Sequence, residues 1–202
     1  MQTQSRMTRT HHFRQDALSR RNVMARAAWS AVWMLLFRPS PRPMHRWRCW
    51  LLRLFGAQIG DSVRIYQTTR IWAPWNLEMH DGSCLGDYVD CYNVARITLA
   101  RKAVVSQYSY LCAASRDYRD PALPLIKAPI TIGKHAWVTA DVFVGPGVAI
   151  GAGAVITARS TVMSDIAPWV IASGNPAIGV KTREFPDSQT LDQPVADDHF
   201  GA

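Results

Sequence analysis

Four cysteines in 202 residues are too few and too irregularly spaced to organise this chain. Cys49, Cys84, Cys91 and Cys112 show neither the paired spacing of a metal site nor the density of a secreted disulfide scaffold. No metal is expected, and reduced thiols in a cytoplasm fit the pattern. Long apolar runs are also missing. The most apolar stretch, 23–37, is interrupted by Arg26 and falls short of the roughly 20 residues that cross a bilayer. It has no small-residue cleavage site after it, so a signal peptide is not expected.

Acidic residues are scarce at the front of the chain. The formal charge of +8 comes mostly from the first seventy residues, where Arg14, Arg20, Arg21, Arg26, Arg38, Arg42, Arg46, Arg48, Arg53, Arg64 and Arg70 fall. Such asymmetry suits an anionic surface or a phosphorylated ligand. No nucleic-acid recognition motif accompanies it, and no nucleic acid is expected. A composition 48% hydrophobic and 19% charged is that of an ordinary soluble domain, and the length allows one domain with short extensions.

What the chain does have is a period of six. From Ile132 an aliphatic residue recurs at Val138, Val144, Ile150, Ile156 and Val162, each followed four places later by Ala136, Val142, Val148, Ala154, Ser160 and Ile166 in turn. The same period runs through Ile59, Ile65, Ile71 and Leu77, then after a shift of two through Met79, Leu85, Cys91 and Ile97. A third phase holds Leu99, Val105 and Leu111, with Ala103, Ser109 and Ser115 at the small position. Only Met79 and Cys91 among these leads are not Ile, Val or Leu. Six fits neither a helix nor a long strand; it fits a coil of short strands that turns after every sixth residue, three turns closing a triangular prism. The leads then stack inside as ladders.

The segments outside the period divide the chain. A basic, disordered tail is expected over 1–22 and a helical extension over 23–56. That extension holds one helix over 23–37, stopped before Pro39, and another over 46–55, ended by Gly56. The coil is expected over 57–180, with a proline-bearing loop at 117–129 extruded from it, and a polar tail over 181–202. Helix 23–37 either caps the coil or rests on an anionic membrane, and the cap is the favoured reading.

Several segments together resemble the hexapeptide-repeat acyltransferases, whose fold is the left-handed parallel β-helix, and among them the colanic acid biosynthesis acetyltransferases. They are LLFRPSPRP, LRLFGAQIG, IWAPWNLEM, CLGDYVDCYNVARITL, PLIKAPITIG, VFVGPGVAIGAGAVI and ASGNPA, spread over roughly 29–180. The resemblance implies an all-β coil, a homotrimer, acetyl-CoA as donor, and a sugar or lipid-linked glycan as acceptor. The expected activity is O-acetyl transfer in exopolysaccharide assembly, in the cytoplasm and at the inner face of the membrane.

The resemblance also carries site residues. Family members have a catalytic histidine in a Ser-His-Asp-Tyr phrase just before the extruded loop, where this chain reads Ser115-Arg116-Asp117-Tyr118. A guanidinium stays protonated and cannot accept a proton, so Arg116 is not the general base. Asp117 is the candidate substitute. The departure also admits a second reading, a weak or inactive family member that binds without turnover; a third is an N-acyltransferase with another donor or acceptor. Asn93 matches the family asparagine that orients the acceptor, and equally suits a turn. Trp137 matches a tryptophan beside the CoA arm, or a subunit contact. Ala140 and Ala158 match small places along that arm, and Lys181 and Arg183 match basic residues near CoA phosphate. Ile178 stands where a further basic residue is common. His80 and His135 lie at turns and read as structural.

Overall fold

The computed structural model describes residues 20–184; most of the tail expected over 1–22, and most of that over 181–202, lie outside them. The coil is present as a left-handed β-helix with three flat faces of parallel strands. The first face holds Gln58–Ile59, Leu77–Met79, Ile97–Leu99, Ile130–Ile132 and Ala149–Ile150. The second runs from Arg64–Ile65 through Cys84–Leu85, Val104–Val105, Trp137–Val138 and Val155–Ile156 to Val170–Gly174, with Ala177–Thr182 added antiparallel at its edge. The third holds Arg70–Ile71, Asp90–Tyr92, Tyr110–Cys112, Phe143–Val144 and Thr161–Val162.

The lead aliphatics are buried in these strands, Ile59 alone being half-buried in the first coil. The shift of two has a simple cause. In Leu77–Met79 and Ile97–Leu99 both end residues point inward and the middle one outward, so each strand offers two leads. Positions paired along the first face are Gln58, Glu78, Thr98, Thr131 and Ala149, so successive coils take 20, 20, 33 and 18 residues. The surplus falls at the third corner, between the third face and the next first face. There the earliest coil makes the turn Pro74–Asn76 and the third sends out its long excursion.

The other two corners are tight, and they turn through left-handed backbone. Tyr88, Tyr108, Asp141 and Arg159 at the second corner have φ of 56°, 62°, 58° and 61°. L-residues adopt this conformation at a cost of roughly 1–2 kcal/mol. Each is held by a bond to the neighbouring coil, as in Tyr108 N–H to Asp87 O at 3.1 Å. His135 is such a residue at the first corner, with φ of 58°. At Gly153, in the same ladder, a Cβ would collide with the Trp169 ring, so only glycine fits.

The front of the chain closes the open end. Helix α1 spans Arg20–Val32 and passes into a π-turn over Trp33–Phe37; α2 spans His45–Leu54 and ends at Gly56, whose φ is 86°. Trp29, Phe37, Leu51 and Leu52 are buried against the first coil. The cap also supplies hydrogen bonds. First-coil carbonyls that no earlier coil can serve accept side-chain donors: Ile71 O from Trp29 Nε1 at 2.7 Å, Thr69 O from Trp33 Nε1 at 2.9 Å, and Val63 O from Cys49 Sγ at 3.5 Å. Arg53 donates to Ile59 O and Gly60 O, and Arg48 Nε to Ile65 O at 2.6 Å.

Arg48 is fully buried, and its remaining N–H groups reach Ser40 Oγ and the carbonyls of Pro41 and Arg42. Burial pulls its pKa below the ordinary arginine value. Removing the guanidinium strands several buried acceptors, each worth about 1–3 kcal/mol. Arg48→Met is therefore expected to destabilise the fold by at least about 2 kcal/mol in chemical denaturation. An unchanged midpoint and slope would contradict this account of the cap.

Candidate functional site

The loop expected over 117–129 is extruded at the third corner, and its two limbs pair as a β-hairpin. Ala114–Arg116 pairs antiparallel with Leu125–Lys127, and Ala128 N–H to Ala113 O at 3.1 Å closes the base. Ser115, expected at a buried small position, is exposed because the chain has already left the coil. The tip is organised by carboxylates. Asp117 Oδ1 accepts from Arg119 N–H at 3.0 Å and Asp120 Oδ1 from Ala122 N–H at 2.9 Å, while Asp117 N–H donates to Pro124 O. Arg116 is exposed and donates from Nη1 to Leu123 O at 2.8 Å, bracing the hairpin from within.

Asn93 lies in the third corner of the second coil, below the base of the hairpin. Its side chain is fully buried and turned inward: Oδ1 accepts from Ala73 N–H at 2.9 Å, and Nδ2 donates to Ala73 O at 2.6 Å. Asn76 Nδ2 reaches the carbonyls of Asn93 and Val94. Both ends of the Asn93 amide are thus spent tying two wide corners together, and the side chain offers nothing to a ligand at the surface.

A second group of residues stands out on the third face. Trp72, Tyr92, Tyr110 and Phe143 follow one another across the strands with ring centroids 5.6, 6.4 and 5.6 Å apart. Asp90 sits among them, in register with Arg70 on one side and Tyr110 on the other. Burial pushes the Asp90 carboxyl above its ordinary value, with Arg70 opposing. Burial and a hydrogen bond with Cys112 push Tyr110 up. Sequence reasoning missed these residues; the available signal was that Asp90 and Tyr110 occupy the place before an inward-facing lead position, Cys91 and Leu111, in successive coils.

The expected donor residues gather elsewhere. Trp137 is on the second face, 45% exposed, between Val104 and Val155, with Nε1 donating to Ser106 Oγ at 2.9 Å. Ala140 and Ala158 stack at the second corner through Arg159 N–H to Ala140 O at 3.1 Å. With Tyr108, Asp141 and Arg159 they line an open depression of about 350 Å³. Lys181 is exposed on the antiparallel edge of the second face, in register with Ile171. Arg183 is half-buried, and its guanidinium binds the carbonyls of Gly153 at 2.9 Å and His135 at 3.2 Å; burial lowers its pKa. That guanidinium fastens the first corner. Among the described residues no group of three or more His, Cys, Asp or Glu is placed to hold a metal.

Trp137, Ala140, Ala158 and Lys181 thus share one face and its corner, whereas Arg116 and Asp117 project from the third corner, the edge opposite that face. No family model matches the chain. The comparisons that do succeed agree with the coil: the chain belongs to the hexapeptide-repeat acetyltransferases. It is 41% identical over 162 residues to the colanic acid biosynthesis acetyltransferase WcaF of Escherichia coli (strain K12), covering 80% of this chain and 89% of that one. Among solved structures, a maltose O-acetyltransferase from Clostridium difficile superposes with a TM-score of 0.76 at 24% identity, over 84% of this chain and 91% of that one. A hexapeptide-repeat acetyltransferase from Vibrio cholerae, complexed with acetyl coenzyme A, gives 0.75 at 22%, over 84% and 93%.

Asp90 supplies a pH test. Its folded pKa lies above the unfolded value, so the folded chain holds the proton more tightly. The group therefore favours folding at low pH, and this contribution is lost as pH rises from the unfolded pKa through the folded one. Asp90→Asn is expected to raise the melting temperature at neutral pH and to leave it nearly unchanged at acid pH. Equal shifts at both would assign the effect to packing instead.

Proposed function

We propose that the protein is an acetyl-CoA-dependent O-acetyltransferase of bacterial exopolysaccharide biosynthesis. It acts as a cytoplasmic homotrimer on a hydroxyl of a free or lipid-linked sugar, at the inner face of the membrane. The observation that carries this reading is the 41% identity, over 89% of its length, to a protein named for colanic acid biosynthesis. The placement of the site residues supports the trimer. One prism cannot bring its own hairpin to its own second face, but the hairpin of one protomer can lie against the second face of the next.

In the reaction the sugar oxygen attacks the thioester carbonyl carbon and its proton passes to a base. The resulting oxyanion needs a hydrogen-bond donor until the C–S bond breaks and the CoA sulfur leaves, taking up a proton. Trp137 packs beside the CoA arm, Ala140 and Ala158 let it approach the backbone, and Lys181 faces phosphate. Arg183, spent on corner carbonyls, positions the edge of that face. Asn93 acts as a positioning residue beneath the hairpin. Arg116 cannot take the proton, which passes instead to Asp117, a weaker substitute base on the same hairpin whose carboxylate is already shared with the Arg119 N–H. One observation favours a second reading, a chain that binds acetyl-CoA with little turnover: the guanidinium standing where the family has its histidine.

Two measurements separate these readings. Calorimetry is expected to find acetyl-CoA binding that weakens in Trp137→Ala; no binding by the unaltered chain would remove the donor assignment. In a thiol-release assay over a panel of sugars, Arg116→His is expected to raise turnover by up to about 10²–10⁴-fold, the usual contribution of a positioned base. Equal rates for the two chains would mean that proton removal is already served, with Asp117→Asn then expected to abolish it.

A further inference from the structure

Between Ala17 and Gly60 the sequence contains no Asp or Glu, while eight arginines fall there. Five of them are engaged. Arg48 and Arg53 bind carbonyls, and Arg26 lies 4.2 Å over the Trp72 ring. Arg42 pairs with Asp87 at 3.2 Å, and Arg38 lies 5.4 Å from the Trp33 ring centroid. Arg20, Arg21 and Arg46 are exposed and have no partner among the described residues.

The same surface exposes large apolar side chains. The inward side of α1 and its π-turn is spent on the coil through Trp29, Trp33 and Phe37. The outer side presents Met24, 72% exposed, and Met34 and Leu35, 64% and 69% exposed, at helical spacing from Arg20 to Arg38. On α2 the outer positions Arg46, Trp50 and Leu54 recur every four residues, with Trp50 48% and Leu54 61% exposed. The two helices form one surface, because Trp47 Nε1 donates to Leu36 O at 3.1 Å and the Trp47 ring stacks on Trp50 at 5.1 Å. A monomer has no reason to leave such a patch wet unless something covers it.

We propose that this outer face seats on an anionic phospholipid surface, with Met34, Leu35 and Trp50 entering the headgroup boundary and Arg20, Arg21 and Arg46 meeting lipid phosphate. Charge selects this occupant. A second copy would set one acid-free, arginine-rich face against another, and like charges repel. An anionic bilayer complements both features at once, because arginine and tryptophan sit with apolar stems inward and polar ends in the headgroup layer. The proposal deepens the membrane placement given above by naming its surface, and it stands apart from the site for acetyl transfer.

Flotation of the full-length protein with vesicles tests it. Binding is expected to vesicles of phosphatidylcholine mixed with phosphatidylglycerol, to weaken with salt, and to be much lower with phosphatidylcholine alone. Leu35→Glu with Trp50→Glu is expected to reduce binding at least about tenfold, and each of Arg20→Gln, Arg21→Gln and Arg46→Gln about fivefold. Met163→Glu, an exposed change on the coil, is expected to bind as the unaltered chain does. Circular dichroism confirms that each variant is folded, and acetyl-CoA turnover on a soluble sugar is expected to be the same in all of them, so this proposal can fail while that activity stands. No binding to anionic vesicles, or equal binding by the Leu35 and Trp50 variant, overturns it. So does an oligomer lost in that variant, which would make the face a contact between copies.

Discussion

A coil of parallel strands has an end problem that no amount of internal packing solves. Backbone carbonyls of the first turn point at a coil that does not exist, and an open edge of this kind invites pairing with another chain. Here the solution is chemical as well as steric. Two tryptophan indoles, two arginines and a cysteine thiol reach into all three faces and take those carbonyls one by one. The helices are therefore part of the hydrogen-bonded lattice, and their outer surface is what remains once the inner one is committed. At the other end the antiparallel strand Ala177–Thr182 covers the second face, and Arg183 N–H continues the first corner through Trp169 O at 2.6 Å.

With its first coil capped, the prism works as a frame that places side chains on separate faces and edges. Small residues and a lone tryptophan occupy one face and corner, and a carboxylate-organised hairpin stands on the opposite edge. Distance between two groups on one chain is then fixed by the cross-section of the coil. Groups on the second face and on the opposite edge therefore stay apart within one chain. The aromatic row on the third face, with Asp90 embedded in it, adds a third environment in which a carboxyl holds its proton more tightly than in water.

How much of this was legible beforehand depended on whether a residue's task was set by the repeat or by its neighbours in space. The leads from Ile65 to Val162 could be read because an inward position recurs every six residues whatever lies between. The two helices could be read from Pro39 and Gly56, which limit backbone geometry locally. The hairpin could not: Pro121 and Pro124 signalled an excursion, but the pairing of Ser115 with Ile126 depends on where the two limbs meet. The cap arginines looked like surface charge, and Arg183 like a phosphate ligand, since the carbonyls they serve exist only once the coil is wound. Asn93 suited either an acceptor-orienting role or a turn on sequence; its two bonds to Ala73 could not be read there, because they join corners of two different coils.

The unequal lengths of the coils have an evolutionary consequence. The faces keep one residue opposite one residue from bottom to top, although the path between them takes 20, 20, 33 and 18 residues. All of that slack is taken up at a single edge, because the other two corners are locked in left-handed turns bonded to the coils above and below. The third corner thus takes coils of 18 to 33 residues without a change in the pairing of the first-face strands. Chain can be added at that edge while the second face, on the far side of the prism, keeps its spacing of one strand per coil.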